Sequence, residues 1–227
     1  MAEVMNTAEA IQKVKSGQTL MVGGFGLVGA PLTLIEALTQ HNVDGLTIMS
    51  NNIGEPGKGL GILLRQGKLK KAVGSYFTSN REVGAAYNEG LLDLQLLPQG
   101  TFAESIRAGG AGLGGYYTKT GVDTELGKGK EVREIDGERY LFEPALHADV
   151  ALIKAHQADR LGNLTYYKTG RNFNPIMATA GKIVIAEVDE IVENGELSPE
   201  EIVTPHLFVD AIVASEKVLT KEGVVSK

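Results

Sequence analysis

The stretch Leu20-Met21-Val22-Gly23-Gly24-Phe25-Gly26-Leu27-Val28-Gly29-Ala30-Pro31 decides the fold class of this chain. Its start, residues 19–22, is an apolar run of strand length, and the glycines that follow indicate a tight loop. Pro31 suits the first turn of a helix, where free backbone N–H groups favour an anionic ligand. The stretch therefore predicts a strand, a ligand-facing loop over residues 23–29, and a helix.

Short apolar runs and helical patterns alternate outward from this stretch. The other predicted helices cover residues 8–15, 58–66, 80–89, 101–108 and 172–180. The other predicted strands cover residues 46–49, 72–77, 91–97, 148–154, 164–167, 183–188 and 207–214, with a frayed tail over 216–227. Strands separated by helices of about ten residues are typical of a parallel sheet with crossover helices. We therefore predict an α/β protein with a mainly parallel sheet.

The middle of the chain has a different pattern. Residues 131–143 predict a β-hairpin around Asp136-Gly137, a favoured two-residue turn. The five glycines from Gly109 to Gly115 indicate a loop, which either approaches a ligand closely or acts only as a hinge. Because the sequence shows no linker, we expect residues 1–227 to form one domain. Its glycine-rich insertion and hairpin lie at about 109–145.

Glycine is concentrated in the first half of the chain. Of the 29 glycines among 227 residues, 23 lie in residues 1–129 and the other 6 in residues 130–227. Hydrophobic residues make up 43% of the chain, which argues against both a fibre and a disordered linker. Glycine in a foldable chain indicates backbone that turns sharply or lies against another group. This distribution points to ligand-binding loops in the first half.

Charge and cysteine content exclude several classes of function. The chain has no cysteine, which excludes disulfides, thiolate catalysis and cysteine-based metal sites. Its net charge of −6 argues against nucleic-acid binding, and its four histidines lack metal-ligand spacing. Residues 16–35 are uncharged, but glycines and a proline interrupt them, which argues against a membrane span or signal peptide. We expect a soluble, cytoplasmic protein.

The glycine loop also resembles a dinucleotide-binding fingerprint. Gly24 to Gly29 matches the pattern G-x-G-x-x-G. That fingerprint needs an acidic residue at the end of the second strand, where Ser50-Asn51-Asn52 stands instead, and Asp44 comes too early. A dinucleotide is therefore disfavoured, and a glycine turn that only packs a helix on a strand stays open.

Amide side chains follow two predicted strands. Asn51 and Asn52 come after the strand 46–49, and Gln99 comes after the strand 91–97. Ligands of open α/β sheets bind at the carboxyl ends of the strands. Paired amides there suit the binding of a carbonyl or carboxylate group. An Asx turn is the structural alternative for the two asparagines.

Together these segments resemble the α subunit of family I CoA-transferases, which include acetate, butyrate–acetoacetate and 3-oxoacid CoA-transferases. The signature of that family is a hydrophobic triplet, G-G-F, three variable residues, G, one residue and P. The stretch from Leu20 to Pro31 fits it, and Ser16 stands where an acidic or amide residue is usual. Further blocks stand in the family order at residues 50–52, 98–101, 106–112 and 171–175. The resemblance spans about residues 8–213.

The resemblance implies a CoA-transferase (NagB/RpiA-like) fold and ping-pong transfer of CoA between an acyl-CoA and a short-chain carboxylate or 3-oxo acid. The family's nucleophilic glutamate belongs to a β subunit, with an α2β2 assembly as the family expectation. Coenzyme A would be a substrate, with no permanently bound cofactor and no metal. The resemblance assigns the reacting carbonyl to Gln99 and the acyl or carboxylate group to Asn51 and Asn52. It assigns CoA binding to the loop of Gly23, Gly24, Phe25, Gly26, Leu27, Val28 and Gly29.

Two glutamates of this chain stay as alternative candidates for the nucleophile, and two other functions stay as alternatives to CoA transfer. Glu193-Asn194-Gly195 resembles the tripeptide around the β-subunit nucleophile, and Glu55 lies in a glycine-rich segment. Related α/β folds also include sugar-phosphate isomerases and sugar-sensing domains, and a protein that only stabilises a partner is a third possibility. The identity of the acyl group is left open between acetate, butyrate and acetoacetate.

Overall fold

The structure is a computed structural model that describes residues 2–220 and 223–226. Its strands are β1 (Glu3–Met5), β2 (Thr19–Val22), β3 (Leu46–Met49), β4 (Leu69–Gly74), β5 (Asp93–Leu96), β6 (Gly115–Thr118), β7 (Val132–Ile135), β8 (Glu138–Pro144), β9 (Ala148–Asp159), β10 (Gly181–Val192), β11 (Ala211–Ala214), β12 (Lys217–Thr220) and β13 (Gly223–Ser226). Its α-helices are α1 (Thr7–Ile11), α2 (Leu32–Gln40), α3 (Leu60–Arg65), α4 (Arg81–Asn88), α5 (Gln99–Gly110) and α6 (Asn174–Ala180).

Eight strands form the central sheet in the order β1-β11-β10-β9-β2-β3-β4-β5. All of its neighbouring pairs run parallel, which confirms the predicted α/β class and parallel sheet. From β2 the chain moves outward through β3, β4 and β5, whereas from β9 it moves the other way through β10 and β11. The boundary between β2 and β9 is therefore the switch point at which ligands of open α/β sheets bind.

Apolar side chains fill both faces of this sheet. Along β2, Leu20 and Val22 belong to one buried cluster and Met21 to the other, because successive strand side chains point to opposite faces. Burial of each such side chain contributes about 1.5–3 kcal/mol. The core thus fixes β2 and directs the loop that follows it to the carboxyl edge of the sheet.

The region between α5 and β9 contains a separate antiparallel sheet. Its three strands lie in the order β6-β8-β7, and β7 and β8 form the predicted hairpin. Asp136 and Gly137 have φ values of 52° and 78°, as a two-residue hairpin turn requires. The hairpin-containing insertion is confirmed, while the assignment of one domain to residues 1–227 stays a prediction.

Two predictions for the second half were wrong. Residues 164–167 form no strand: Leu164 makes only isolated bridges to Ala158 and Thr204. The tail predicted to be frayed contains the antiparallel pair β12 and β13, while residues 221, 222 and 227 lie outside the described residues. The order of this tail could not be predicted from local sequence, because it depends on tertiary contacts of Lys217 with Thr33 and Glu36.

The glycine-rich segment after residue 108 differs in part from its predicted loop. Helix α5 continues through Gly109 and Gly110, two residues that the glycine pattern assigns to the loop. A Cβ atom at Gly109 would lie 2.0 Å from the carbonyl oxygen of Leu146, and one at Gly110 would lie 1.9 Å from Oγ1 of Thr179. These two glycines therefore allow close packing of α5 on its neighbours.

No helix among the described residues is long and apolar enough to cross a membrane.

Candidate functional site

The glycine loop after β2 is a tight turn at the switch point of the sheet. Gly24, Gly26 and Gly29 have φ values of 120°, 63° and 67°, which residues other than glycine rarely adopt. Phe25 and Val28 exchange backbone hydrogen bonds of 2.9 and 3.2 Å across the turn, and their side chains are 48% and 42% exposed. The loop therefore presents apolar side chains to solvent on a constrained backbone.

A second loop, after β3, is closed by the same kind of backbone hydrogen-bond pair. Glu55 and Lys58 exchange the corresponding backbone hydrogen bonds, and Gly54, Gly57 and Gly59 have positive φ values. The two loops are in contact, since a Cβ atom at Gly59 would lie 2.9 Å from Cδ2 of Leu27. The shared hydrogen-bond pair was not apparent from the sequence, because the glycines are spaced differently, at positions 24, 26 and 29 in the first loop and at 54, 57 and 59 in the second.

Two asparagines near the start of α6 form hydrogen bonds with the backbone of the first loop. Asn172 accepts a hydrogen bond from the N–H of Gly24 and donates one to the carbonyl of Val28, both at 3.1 Å. The buried Asn174 donates to the carbonyl of Gly29 at 2.9 Å and accepts from the N–H of Lys154 at 2.8 Å. Sequence analysis singled out this segment but gave it no role, and the structure shows that it fixes the loop.

The N-terminus of α2 is already occupied by a carboxylate of the protein. Glu187 on β10 is fully buried and accepts hydrogen bonds from the N–H groups of Thr33 at 2.9 Å and Leu34 at 3.2 Å. Ser215 donates to it at 2.6 Å, and Nζ of Lys154 lies 3.6 Å away. Burial raises the pKa of the Glu187 carboxyl, and these partners oppose that rise. The prediction that this helix start binds an anionic ligand is therefore wrong, because Glu187 already accepts from the N–H groups of Thr33 and Leu34.

A cavity of about 380 Å³ lies beside the glycine loop, against the second halves of β9 and β10. Asp189 accepts hydrogen bonds there from Lys154 at 2.6 Å and pairs with Nδ1 of His156 at 3.2 Å. Tyr167 covers His156, with ring centroids 5.2 Å apart. Nζ of Lys154 thus lies between the carboxyl groups of Glu187 and Asp189. The contact of Lys154 with Asp189 could not be predicted from local sequence, because the two residues lie on different strands, 35 positions apart.

Asn51 and Gln99 meet at the carboxyl edge of the sheet, as their positions after strands predict. Nδ2 of Asn51 donates to Oε1 of Gln99 at 3.1 Å and to Oγ of Ser75 at 3.0 Å. Ser75 also contacts Oε1 of Gln99 at 3.3 Å. Asn51 is fully buried, whereas Gln99 is exposed at the start of α5. Ser75 was not predicted as part of the site, because the predicted strand 72–77 contains it, whereas β4 ends at Gly74.

The other polar residues singled out in the sequence do not join the hydrogen bonds of this cluster. Asn52 is buried and donates to Oγ of Ser79 at 3.1 Å. Glu55 pairs with Lys58 at 3.4 Å, and Glu193 pairs with Arg160 at 2.7 Å on an exposed turn after β10. Both glutamates are thus engaged by neighbouring cations. Among the described residues, no group of three or more acidic or histidine side chains is arranged to hold a metal ion.

The family model described as "Coenzyme A transferase" matches residues 4–215 of this chain. The chain belongs to the coenzyme A transferase family. One subunit of the succinyl-CoA:3-ketoacid coenzyme A transferase of Xanthomonas campestris is 53% identical over 200 residues, which cover 88% of this chain and 83% of that protein. The alpha subunit of the acetate CoA-transferase of Escherichia coli K12 is 44% identical over 215 residues, covering 95% of this chain and 98% of that protein.

A solved structure shows the same fold. The acyl-CoA transferase YdiF of Escherichia coli O157:H7, in a thioester complex with CoA, matches with a TM-score of 0.84 and 22% identity. The match covers 100% of this chain but 50% of that one, so the chain spans half the length of YdiF. The resemblance to CoA-transferases that the sequence motifs indicated is confirmed at the level of family and fold.

Proposed function

We propose that this chain is the α subunit of a CoA-transferase that moves CoA from an acyl-CoA to a short-chain carboxylate or 3-oxo acid. Family membership supports the transfer of CoA, and both relatives are named as one subunit of a transferase, the Escherichia coli protein as its alpha subunit. Those names specify a 3-ketoacid for one relative and acetate for the other, which makes both kinds of acid candidate acceptors. The chain would act with a β-type subunit, two of each forming the enzyme.

The exposed amide of Gln99 carries this proposal. Its oxygen accepts from Asn51 and Ser75 at the carboxyl edge of the sheet, so its N–H group faces away from both residues. A donor held in this way can stabilise the negative charge that develops on a thioester oxygen during acyl transfer. The neighbouring loop of residues 23–29 would contact the CoA portion, and Asn52 the acyl or carboxylate group.

The nucleophile of the proposed reaction comes from the β-type subunit. Its glutamate carboxylate attacks the thioester carbonyl and expels CoA thiolate, which leaves an acyl-glutamyl anhydride. The thiolate then attacks the glutamyl carbonyl, releases the first carboxylic acid as its carboxylate, and forms a glutamyl-CoA thioester. The incoming carboxylate reverses these steps. Covalent catalysis of this kind divides one difficult exchange into easier steps. CoA is a substrate throughout.

A transfer assay tests this function. The chain is purified alone and co-expressed with a β-type subunit, and each sample receives acetoacetyl-CoA with acetate or succinate, or succinyl-CoA with acetoacetate. We expect new acyl-CoA only from the two-subunit sample. Transfer by the chain alone would contradict the shared site. Isomerisation of a sugar phosphate by the chain alone would indicate the competing isomerase function.

A further inference from the structure

Three consecutive strand ends place Asn51, Ser75 and Gln99 in one rigid frame. The N–H groups of Ser75 and Tyr76 donate to the carbonyl of Asn51 at 3.2 and 2.9 Å, which joins the ends of β3 and β4. The N–H of Leu97 donates to the carbonyl of Gly74 at 2.9 Å, which joins the ends of β4 and β5. The side-chain contacts therefore start from backbone positions that are already fixed.

The approach of β4 to β3 depends on a glycine directly before Ser75. A Cβ atom at Gly74 would lie 2.2 Å from the carbonyl oxygen of Ser50 and 3.2 Å from that of Asn51. Only glycine fits this distance without moving the backbone. The tight contact brings Oγ of Ser75 within 3.0 Å of the Asn51 amide.

The hydrogen bonds of this cluster have one consistent direction. The two N–H bonds of the Asn51 amide point to Oγ of Ser75 and to Oε1 of Gln99. Because Ser75 accepts from Asn51, its own O–H is free to donate to Oε1 of Gln99. If the Gln99 amide were rotated by half a turn, its NH2 group would face the donors of Asn51 and Ser75. With the Asn51 amide donating to both neighbours, the cluster holds Gln99 in the oxygen-inward, nitrogen-outward orientation.

The burial of Asn51 supports a role in orienting another group. Its side chain is fully buried, and its Oδ1 atom has no hydrogen-bond partner among the described residues. An unpaired buried acceptor is unfavourable for the folded state. An amide is kept here for its donors, both of which point to other members of the cluster. Asn51 thus acts on Ser75 and Gln99, and the direct substrate contact that the resemblance implied for Asn51 stays a prediction.

We propose that Ser75, together with Asn51, is a positioning residue that sets the polarity of the Gln99 amide. It holds the Gln99 oxygen inward so that the N–H group faces the thioester oxygen of the substrate. The proposal rests on the proposed function for the catalytic part of its test. An exposed glutamine without such partners would rotate freely, and its donor would be correctly directed for only part of the time.

A double-mutant cycle tests whether Ser75 acts through Gln99. In the two-subunit enzyme, Ser75→Ala should lower kcat about five- to tenfold, as expected for one lost hydrogen bond, with KM for acyl-CoA nearly unchanged. In a Gln99→Ala background the same substitution should change kcat by less than about twofold. Ser75→Thr keeps the hydroxyl and should restore most of the turnover. Thr78→Ala removes an exposed hydroxyl from the same segment between β4 and α4 and serves as the matched control.

Two results would overturn the proposal. One is an unchanged kcat in Ser75→Ala. The other is an equal loss of kcat from Ser75→Ala with and without Gln99, because that loss would reflect general damage to the fold.

A second measurement separates this inference from the proposed function. In the chain labelled with ¹⁵N, the side-chain amide signals of Gln99 are identified by their loss in Gln99→Ala. We expect them to be shifted or broadened in Ser75→Ala and unaffected in Thr78→Ala. Unchanged Gln99 signals in Ser75→Ala would contradict the positioning role even if the enzyme is active. If the two-subunit enzyme transfers no CoA while the signals respond as expected, the proposed function fails and the orientation of Gln99 by Ser75 stands.

Discussion

Glu187 on β10 accepts a hydrogen bond at 2.9 Å from the N–H of Thr33, in the first turn of the helix that follows the glycine loop. A negative charge at a helix N-terminus is favourable because it faces the positive end of the helix dipole. Pro31, which precedes the helix, gives no side-chain cap of its own. The carboxylate therefore ties the sheet to the end of the loop that we propose to face CoA.

We expect Glu187→Ala to destabilise the protein by about 2–4 kcal/mol, since buried N–H groups at the start of α2 lose their acceptor. The free energy of unfolding in urea measures this loss. Glu190→Ala is the matched control on the same strand, because Glu190 is exposed. The control should change stability by no more than about 0.5 kcal/mol. A similar loss for both variants would show that Glu187 does not anchor the helix.

The stability of the protein should depend on the protonation of Glu187. Burial raises the pKa of this carboxyl in the folded state above the ordinary value of 4.5, so the folded protein retains a proton that the unfolded chain has lost. The free energy of unfolding then falls as pH rises from the unfolded pKa through the folded pKa. Glu187→Gln cannot ionise, so its stability relative to the natural chain should increase across that window and then level off. A relative stability that decreases with pH would mean that Lys154 lowers the pKa instead.

Gly23 should tolerate no side chain. A Cβ atom there would lie 1.8 Å from Oδ1 of Asn174, which is itself held by the N–H of Lys154. We expect Gly23→Ala to cost about 1–3 kcal/mol, because the buried asparagine cannot move away freely. Gly84→Ala in α4 is the control, since a Cβ atom there meets nothing within 4 Å. Thermal unfolding should show that the control is more stable by about 0.5–1 kcal/mol, and a neutral Gly23→Ala would contradict the contact.

Gln99→Ala should lower the turnover of the two-subunit enzyme by well over tenfold, up to about 100-fold, because the donor to the developing oxyanion is lost. Steady-state kinetics measures the change, and gel filtration checks that the subunits still assemble. Gln66→Ala, at the end of α3, removes an exposed glutamine outside the cluster and should leave turnover unchanged. Full activity of Gln99→Ala would remove Gln99 from the site.

Elements formed by local sequence were predicted well. The apolar runs at 19–22 and 46–49 coincide with β2 and β3, and the Asp136-Gly137 turn fixes the hairpin. The predictions that failed depend on contacts between distant segments. Gly109 and Gly110 resemble a loop in sequence, yet they are helical because neighbouring backbone and side chains require their small size.

The candidate site divides in the same way. Asn51 and Gln99 are recognisable because amides directly follow predicted strands. Ser75 lies inside the strand predicted over residues 72–77, whereas β4 ends at Gly74, so the sequence did not place it at a strand end. Glu187 lies inside an apolar strand and meets Thr33 across 154 positions of sequence, so no local pattern reveals their contact. Strand ends thus mark where a site lies, and the folded packing decides which side chains orient it.

Trapping of the covalent intermediate tests the central claim most directly. The two-subunit enzyme is incubated with acyl-CoA without an acceptor and then reduced with tritiated borohydride, which converts a glutamyl thioester to a labelled alcohol and releases CoA. Peptide mapping locates the label. Our account predicts label on one glutamate of the β-type subunit, with none on this chain. Label on Glu55, Glu193 or any other glutamate of this chain would contradict it.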